Sequence, residues 1–386
     1  MYPNLYYAFQ DLFGLELPFL KVFQTFGFFV AIAFLAAAYV LTIELRRREK
    51  LGWLYGIKEK IVVGKPASTG ELILNGILGF LLGYKLVGLF LQWSVASQDF
   101  QGFIFSGAGS WPAGIALGAL FVYLKYKDKK KHASEKPKEE MVLVMPHQRV
   151  PDFTVMAAIA GLIGAKIFHN LENWNDFKQD PWGSLISFSG LTFYGGLIVA
   201  AVVIINYARK KQINVWHLVD SAAPALMLSY GVGRMGCQFS GDGDWGIVNT
   251  HPNPFAWLPD WAWAYRYPHN VINEGIPIPG CEGKYCHMLE LPVYPTPLYE
   301  IIACLILFGI LWGIRKRIST PGVIFGIYLV MNGIERFFIE KIRVNTKYDI
   351  WLHPTQAEII AALMVIGGAV LIWYCRKSFA AKKTVS

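Results

Sequence analysis

Residues 229–246 read SYGVGRMGCQFSGDGDWG, an apolar glycine-rich run that ends in a polar turn. Gly231, Gly233 and Gly236 surround a lone Arg234, and glycines at this density let backbones approach closely. An intramembrane arginine is costly unless paired, and its planar guanidinium can hold a phosphate through two parallel hydrogen bonds. The stretch therefore predicts an anion site at a membrane helix end. The alternative is a helix-packing seam with a snorkelling arginine.

The composition around this stretch is that of a membrane protein. Hydrophobic residues make up 54% of the 386 residues and charged residues 16%, with a mean hydropathy of +0.37. Ordinary soluble domains are about a quarter charged. The net charge of +9 lies in short clusters between apolar segments, at 46–50, 125–131, 209–211, 315–317 and 376–383. Clusters of this kind indicate cytoplasmic loops rather than a surface that binds nucleic acid.

Apolar segments of about 20 residues predict an all-α polytopic membrane protein with about nine transmembrane helices. The basic loops place the N-terminus outside and the C-terminus in the cytoplasm. Residues 1–21 lack a basic n-region, so we expect the first span to stay in the protein. The predicted spans are 22–45, 69–93, 107–126, 153–171, 188–208, 215–230, 297–314, 322–339 and 355–374.

Two extramembrane pieces connect these spans within a single integral-membrane domain, residues 1–386. Residues 127–150 are rich in lysine and glutamate, which predicts a solvated cytoplasmic linker. Residues 231–295 are rich in tryptophan, proline and glycine, which predicts a small external cap at the membrane interface.

The predicted topology brings the polar residues of several spans to the outer membrane face. Arg336 and Glu340 are four residues apart and share a helix side. Within a bilayer such a pair orients the guanidinium for a ligand, although it is elsewhere most often a simple helix-stabilising pair. Glu300 either takes part in the anion site or is a carboxylate at a helix N-terminus that the helix dipole stabilises. The polar residues at this level are Lys166, His169, Tyr194, Arg234, Glu300, Arg336, Glu340 and Arg343.

Two other groups of residues are interpreted as structural. Asp220 lies nearer the inner side, where a structural hydrogen bond is expected. Cys281 and Cys286 fall in the external loop, where an oxidising compartment permits a disulfide. Free thiols, or a metal site with His287, are the alternatives for this cysteine pair.

Four motifs together resemble one known family. The stretch GVGRMGCQFSGDGDWG, LTFYGGLI at 191–198, YPTPLYE at 294–300 and ERFFIEKIR at 335–343 are similar to motifs of the bacterial prolipoprotein diacylglyceryl transferase family. The resemblance extends from about residue 153 to the C-terminus, and the first span fits the opening helix of the family. Residues 69–126 are then an inserted helical pair beyond the usual seven spans.

The resemblance implies an enzyme of the bacterial cytoplasmic (inner) membrane that acts in lipoprotein biosynthesis. Its substrates are phosphatidylglycerol and preprolipoprotein signal peptides with a lipobox cysteine. The diacylglyceryl group moves to the cysteine thiol, a thioether forms, and glycerol phosphate leaves. No cofactor, metal or nucleic acid is expected. An inactive relative that binds lipid or lipoprotein, and a membrane transporter, are the alternatives.

The chemistry needs a base for the thiol and positive charge for the departing phosphate. The resemblance implies that Arg234 is the signature arginine, Gly246 the closing glycine, and Arg336 with Glu340 a functional pair. The predicted catalytic residues are Arg234, Arg336, Glu340 and Tyr194. The predicted substrate-binding residues are Arg234, Gly246, Asp244, Glu300 and Arg343.

The sequence also departs from the family pattern. Tyr194 stands where many members have the histidine proposed as the base for the thiol, and Cys237 stands where many have asparagine. The signature is one residue longer before Asp244. Tyrosine has a reference pKa near 10, so it needs strong help from the arginines to act as a base. The identity of the base therefore stays open.

Overall fold

The computed structural model describes residues 1–63, 66–96, 100–132, 138–186, 190, 192–345 and 353–383. The chain forms two compact units. The first unit comprises Met1–Pro3, Thr25–Ile57 and Met145–Ser386, and the second comprises Asn4–Gln24 and Lys58–Val144.

The secondary structure is mostly helical, with short strands. The α-helices are α1 (Leu5–Phe13), α2 (Thr25–Lys50), α3 (Thr69–Leu91), α4 (Trp93–Ala96), α5 (Phe100–Phe105), α6 (Trp111–His132), α7 (Val150–Glu172), α8 (Trp174–Gln179), α9 (Pro181–Ile186), α10 (Phe193–Lys210), α11 (Val215–Ser240), α12 (Asp260–Trp263), α13 (Thr296–Ile314), α14 (Val323–Glu340) and α15 (Gln356–Lys383). The strands are β1 (Ile57–Val63), β2 (Lys138–Val144), β3 (Ile276–Pro277) and β4 (His287–Met288), and Pro18–Val22 and Pro146–Arg149 are 3₁₀ turns.

Each predicted span coincides with a long helix in the described residues, and six of these helices are long and apolar enough to cross a membrane: α2, α3, α7, α10, α13 and α15. The other three, α6, α11 and α14, carry more polar or charged residues. The polytopic membrane class is therefore supported, while the count of nine spans stays a prediction. The fifth span was predicted from residue 188, but α10 begins at Phe193, and residues 187–189 and 191 lie outside the described ranges.

Helix α11 is the centre of the first unit. It packs against α2, α13 and α14, while α14 packs against α15 and α10 packs against α7. The side chain of Asn214 accepts hydrogen bonds from the first turn of α11, and Gly241, with a φ of 64°, ends the helix in the left-handed conformation. A buried apolar cluster that includes Met227, Cys304 and Ile324 joins α11, α13 and α14.

The sixth span was predicted to end at Tyr230, and this boundary is wrong. Helix α11 continues to Ser240, so Arg234 lies inside the helix and not past its end, and the region of the predicted cap begins as helix. Two of the glycines in this continuation, Gly231 and Gly236, pack against other chain segments. A Cβ on Gly231 would lie 2.9 Å from the Cβ of Cys304, and one on Gly236 would lie 3.2 Å from the backbone oxygen of Phe26.

The cap is an ordered, loop-rich segment held by a small core. Strands β3 and β4 pair antiparallel, and Trp245, Tyr267, Leu289 and Val293 pack together beneath them. Of the three states considered for Cys281 and Cys286, the structure has the disulfide. This bond fits an external, oxidising position for the cap.

In the second unit, α3 and α6 form a tightly packed helical pair. A Cβ on Gly79 would lie only 2.6 Å from the backbone oxygen of Leu117, so this crossing requires glycine. Lys85 is satisfied within the protein, because its ammonium donates to the carbonyls of Phe103, Ser106 and Ala108.

The predicted linker, 127–150, contains ordered elements. Helix α6 runs to His132, beyond the predicted end at residue 126, and β2 pairs with β1. The domain boundaries of the sequence analysis otherwise stay predictions.

A buried charged network, which we call the Glu44 network, joins α2, α11, α13 and α14. The fully buried carboxylate of Glu44 pairs with Arg47 at 2.6 Å, with Arg48 at 3.1 Å and with Arg315 at 3.2 Å. Asp220 lies 3.6 Å from Arg48 and accepts hydrogen bonds from the backbone nitrogens of Gly322 and Phe325, at the start of α14. Asp220 therefore makes the structural hydrogen bonds that the sequence predicted.

Candidate active site

Arg234 projects from the last turns of α11 into a cluster of charged side chains. Its Nε lies 3.0 Å from Glu300, and its Nη1 pairs with Asp244. The guanidinium also lies over the ring of Tyr230, at 5.5 Å from the ring centroid. One arginine thus bridges α13 and the loop that follows α11.

Glu300, in the second turn of α13, is the buried centre of the cluster. Its side chain is 0% exposed. Besides Arg234, it accepts a hydrogen bond from the hydroxyl of Tyr230 at 2.8 Å and from Nη1 of Arg336 at 3.2 Å. A buried carboxylate is tolerated when it is both paired and hydrogen-bonded, so Glu300 holds two arginines in fixed positions.

Helix α14 supplies Arg336 and Glu340, which form the predicted ion pair at 3.2 Å. Glu340 is itself held by a hydrogen bond from Oγ1 of Thr355 at 2.8 Å. Just after the helix, Arg343 places Nη2 at 2.6 Å from Asp244 and Nη1 at 4.0 Å from Glu300. The cluster therefore draws on α11, α13, α14 and the loop after α11.

Gly246 has a structural part in this arrangement. Its backbone nitrogen donates to the oxygen of Tyr294 at 2.8 Å, and it forms a bridge with Arg343. A Cβ at this position would lie 2.5 Å from the oxygen of Ile342, so only glycine fits. This close approach brings Arg343 to Asp244.

The pKa values of the two aspartates in the loop shift in opposite directions. Burial alone raises the pKa of Asp244, but Arg234 and Arg343 outweigh it and hold this pKa below its usual range. Burial, and then the negative charge of Asp244, raise the pKa of Asp242. Asp244 is therefore the ionised partner of the arginines.

Sequence reasoning missed Tyr230 and Glu335. Tyr230 precedes Arg234 by one helical turn, and its hydroxyl donates a hydrogen bond to Glu300. Glu335 is only 7% exposed, and neither of its carboxyl oxygens has a hydrogen-bond partner in the described residues. The sequence signals for Glu335 are its charge within a predicted span and its place at the start of the motif at 335–343.

The structure does not bring Tyr194 into the charged cluster. Its ring contacts that of Phe193 at a centroid distance of 5.8 Å, and no hydrogen bond or ion pair within the described residues connects it to the arginines. The other predicted site residues, Arg234, Asp244, Gly246, Glu300, Arg336, Glu340 and Arg343, lie together.

Changing Tyr194 to phenylalanine is expected to reduce turnover only modestly and to leave the pH profile unchanged. The ring keeps its packing, and the change removes a hydroxyl that forms no hydrogen bond with the arginines in the part of the chain that the structure describes. If Tyr194 were the general base, its removal would lower the rate about 10²–10⁴-fold. Steady-state turnover across a pH series separates the two roles, and a thousandfold loss with intact lipid binding would assign the base to Tyr194.

One group of possible metal ligands does not suit a metal ion. The ligand atoms of Cys237, Asp242 and Asp244 lie within 4.8 Å of one another. However, Nη1 of Arg234 pairs with Asp244 and lies 3.7 Å from Sγ of Cys237. A guanidinium already fills this position, and it would repel a cation.

Chemically, the cluster is suited to bind an anion next to the membrane. Arg234, Arg336 and Arg343 converge, and their side chains are only 11–17% exposed. Arginines in such a partly desolvated place stabilise the negative charge that develops on a leaving phosphate.

Comparison with known proteins identifies similar sequences along most of the chain. A family model described as "Prolipoprotein diacylglyceryl transferase" matches residues 111–374. A relative from Leptospira interrogans serovar copenhageni, named phosphatidylglycerol–prolipoprotein diacylglyceryl transferase, is 25% identical over 90% of this chain and 88% of its own. Relatives of the same name are 27% identical in Staphylococcus haemolyticus, over 68% of this chain and 82% of their own, and 30% identical in Glaesserella parasuis, over 55% and 70%.

Proposed function

The chain belongs to the prolipoprotein diacylglyceryl transferase family, and we propose that its arginine cluster carries out the transfer from phosphatidylglycerol to a prolipoprotein thiol. This reaction is the first step of lipoprotein maturation. The observation that carries the proposal is the convergence of Arg234, Arg336 and Arg343 around Glu300.

In the proposed step, the thiol sulfur of the lipobox cysteine attacks the glyceryl carbon that bears the phosphate. The carbon–sulfur bond forms, the carbon–oxygen bond breaks with its electron pair going to the phosphate oxygen, and the thiol proton passes to water. Arg234 and Arg336 stabilise the charge on the departing glycerol phosphate. A cysteine thiol with a reference pKa near 8.5 is already partly ionised at neutral pH, and nearby arginines increase the ionised fraction. This reduces the need for one dedicated base.

The proposed location is the bacterial inner membrane, with the cluster near its outer face. The disulfide of the cap and the basic clusters at the C-terminal ends of α2 and α10 support this orientation. A reporter fused after Tyr126 or Lys211 is expected to be cytoplasmic, and one placed within residues 253–290 is expected to be external. An external reporter at Lys211 would reverse the orientation and contradict the proposal.

Complementation tests the activity directly. The intact chain is expressed in a bacterial strain depleted of its own transferase, and we expect growth together with thioether lipidation of a labelled prolipoprotein. The matched control is Arg234→Ala at equal protein level, which should not support growth. Failure of the wild-type chain to lipidate the reporter, despite normal membrane insertion, would rule out the proposed function.

A further inference from the structure

Asp244 differs from the other two carboxylates that pair with the arginines. The side chains of Glu300 and Glu340 are each 0% exposed, whereas that of Asp244 is 35% exposed. Glu300 and Glu340 lie on packed helices, and both accept further hydrogen bonds from the protein. Within the described part of the cluster, Asp244 is therefore the counter-ion that a ligand can displace at the lowest cost.

The backbone of Asp244 is fixed, because its carbonyl accepts a hydrogen bond from Oγ1 of Thr296 at 2.8 Å and its nitrogen donates to Asp242. After Asp244, Gly246 is fixed by backbone hydrogen bonds. A rotation of the partly exposed Asp244 side chain would free the arginines without moving the loop backbone.

The contacts of Asp244 are those expected of a bound phosphate. Its two carboxylate oxygens pair with different arginines. Oδ2 pairs with Arg234, and Oδ1 lies 2.6 Å from Nη2 of Arg343. A phosphate group with several oxygens would accept hydrogen bonds from the same guanidinium groups. Phosphate and Asp244 therefore compete for the same donors.

The charge change during the reaction makes this competition important. The substrate is a phosphodiester with one negative charge, while the released phosphomonoester carries close to two, because its second pKa is near 6. Three fixed arginines attract the product more strongly than the substrate. Without a competing anion, glycerol phosphate would leave slowly.

We propose that Asp244 is an internal anion that re-pairs with Arg234 and Arg343 and thereby expels the glycerol phosphate product. This inference rests on the proposed function and assigns to Asp244 a specific role in the same site. Asp244 makes and breaks no covalent bond in this role. It sets the balance between binding the substrate phosphate and releasing the product phosphate.

The test uses the full-length protein in detergent or nanodiscs and compares wild type with Asp244→Asn. Inhibition by added glycerol phosphate is measured together with KM for phosphatidylglycerol and kcat. We expect the inhibition constant to fall about tenfold, because the amide cannot compete as an anion. KM is expected to fall less, since the substrate carries less charge, and kcat is expected to fall with slower release.

Asp242→Asn is the matched control. It is the same substitution two residues away, at a side chain that forms no ion pair with an arginine in the described residues. We expect its inhibition constant to match that of wild type. Asp244→Ser provides a second variant that also lacks the negative charge, and thermal melting checks the folding of all three.

Two outcomes would overturn the inference. One is an unchanged or higher inhibition constant in a folded Asp244→Asn or Asp244→Ser protein. The other is failure of both variants to fold, which would make Asp244 a structural clamp. The wild-type sample separates this inference from the proposed function, because absence of transfer by wild type would refute the function itself.

Discussion

Replacing Arg234 by lysine is expected to lower transfer at least about a hundredfold, although the positive charge is kept. Removing one well-placed donor to a developing anion costs about 10²–10³-fold. Here the guanidinium uses Nε for Glu300 and Nη1 for Asp244, and these atoms belong to one planar fork. The ammonium of lysine concentrates its charge on one nitrogen, so it cannot reproduce the contacts with both Glu300 and Asp244. Labelling of a prolipoprotein thiol with purified, quantified enzyme measures the loss.

Arg266→Lys is the matched control for this prediction. Arg266 is an exposed residue of the cap that donates to the backbone oxygen of Glu290, away from the arginine cluster. We expect nearly wild-type transfer from this variant. Full activity of Arg234→Lys at a normal protein level would show that Arg234 does not hold the phosphate.

Glu300→Gln is expected to impair both stability and activity. The carboxylate is fully buried and compensates Arg234 and Arg336 while accepting the hydroxyl of Tyr230. Breaking a buried ion pair by changing one partner costs about 3–5 kcal/mol, because the other charges stay buried without compensation. The rate of transfer should also fall, since Arg234 and Arg336 lose the carboxylate that holds both of them in place.

Thermal melting of the membrane-extracted protein, followed by size-exclusion chromatography, measures the loss of stability. Glu290→Gln makes the same chemical change at an exposed position of the cap and should melt like wild type. If Glu300→Gln matched wild type in both melting and transfer, Glu300 would not be the anchor of the cluster.

The local parts of the site could be predicted from sequence because they depend on helical spacing. Arg336 and Glu340 are four residues apart, and the structure pairs them as that spacing requires. The family was also predicted correctly, because four motifs in order leave little room for chance agreement.

Parts of the site that depend on tertiary packing could not be predicted. Glu300 meets Arg234 from another helix, and no pattern within either segment encodes that distance. Tyr230 looks like an ordinary residue of an apolar helix, and Glu335, a charged residue within a span, was not assigned to the site. The continuation of α11 beyond Tyr230 was also missed, and in this continuation Gly231 and Gly236 pack closely against neighbouring segments.

The basic run at 46–50 shows a further limit of sequence reasoning. It was interpreted only as a signal for orientation, yet Arg47 and Arg48 also belong to the Glu44 network. A charge cluster at a helix end fits both roles equally well in the sequence, and only the packing of α2 against α11 distinguishes them.

The Glu44 network has a consequence for the synthesis of the protein. Arg315 follows Glu44 by 271 residues, which a ribosome adds in roughly 15–50 seconds at 5–20 residues per second. During this time α2 has left the ribosome, while the segment that carries Arg315 does not yet exist. The charge of Glu44 is nevertheless paired from the start, because Arg47 and Arg48 lie one turn further along the same helix. The nascent helix thus carries its own counter-ions into the membrane, and Arg315 is added to this pairing when translation supplies it.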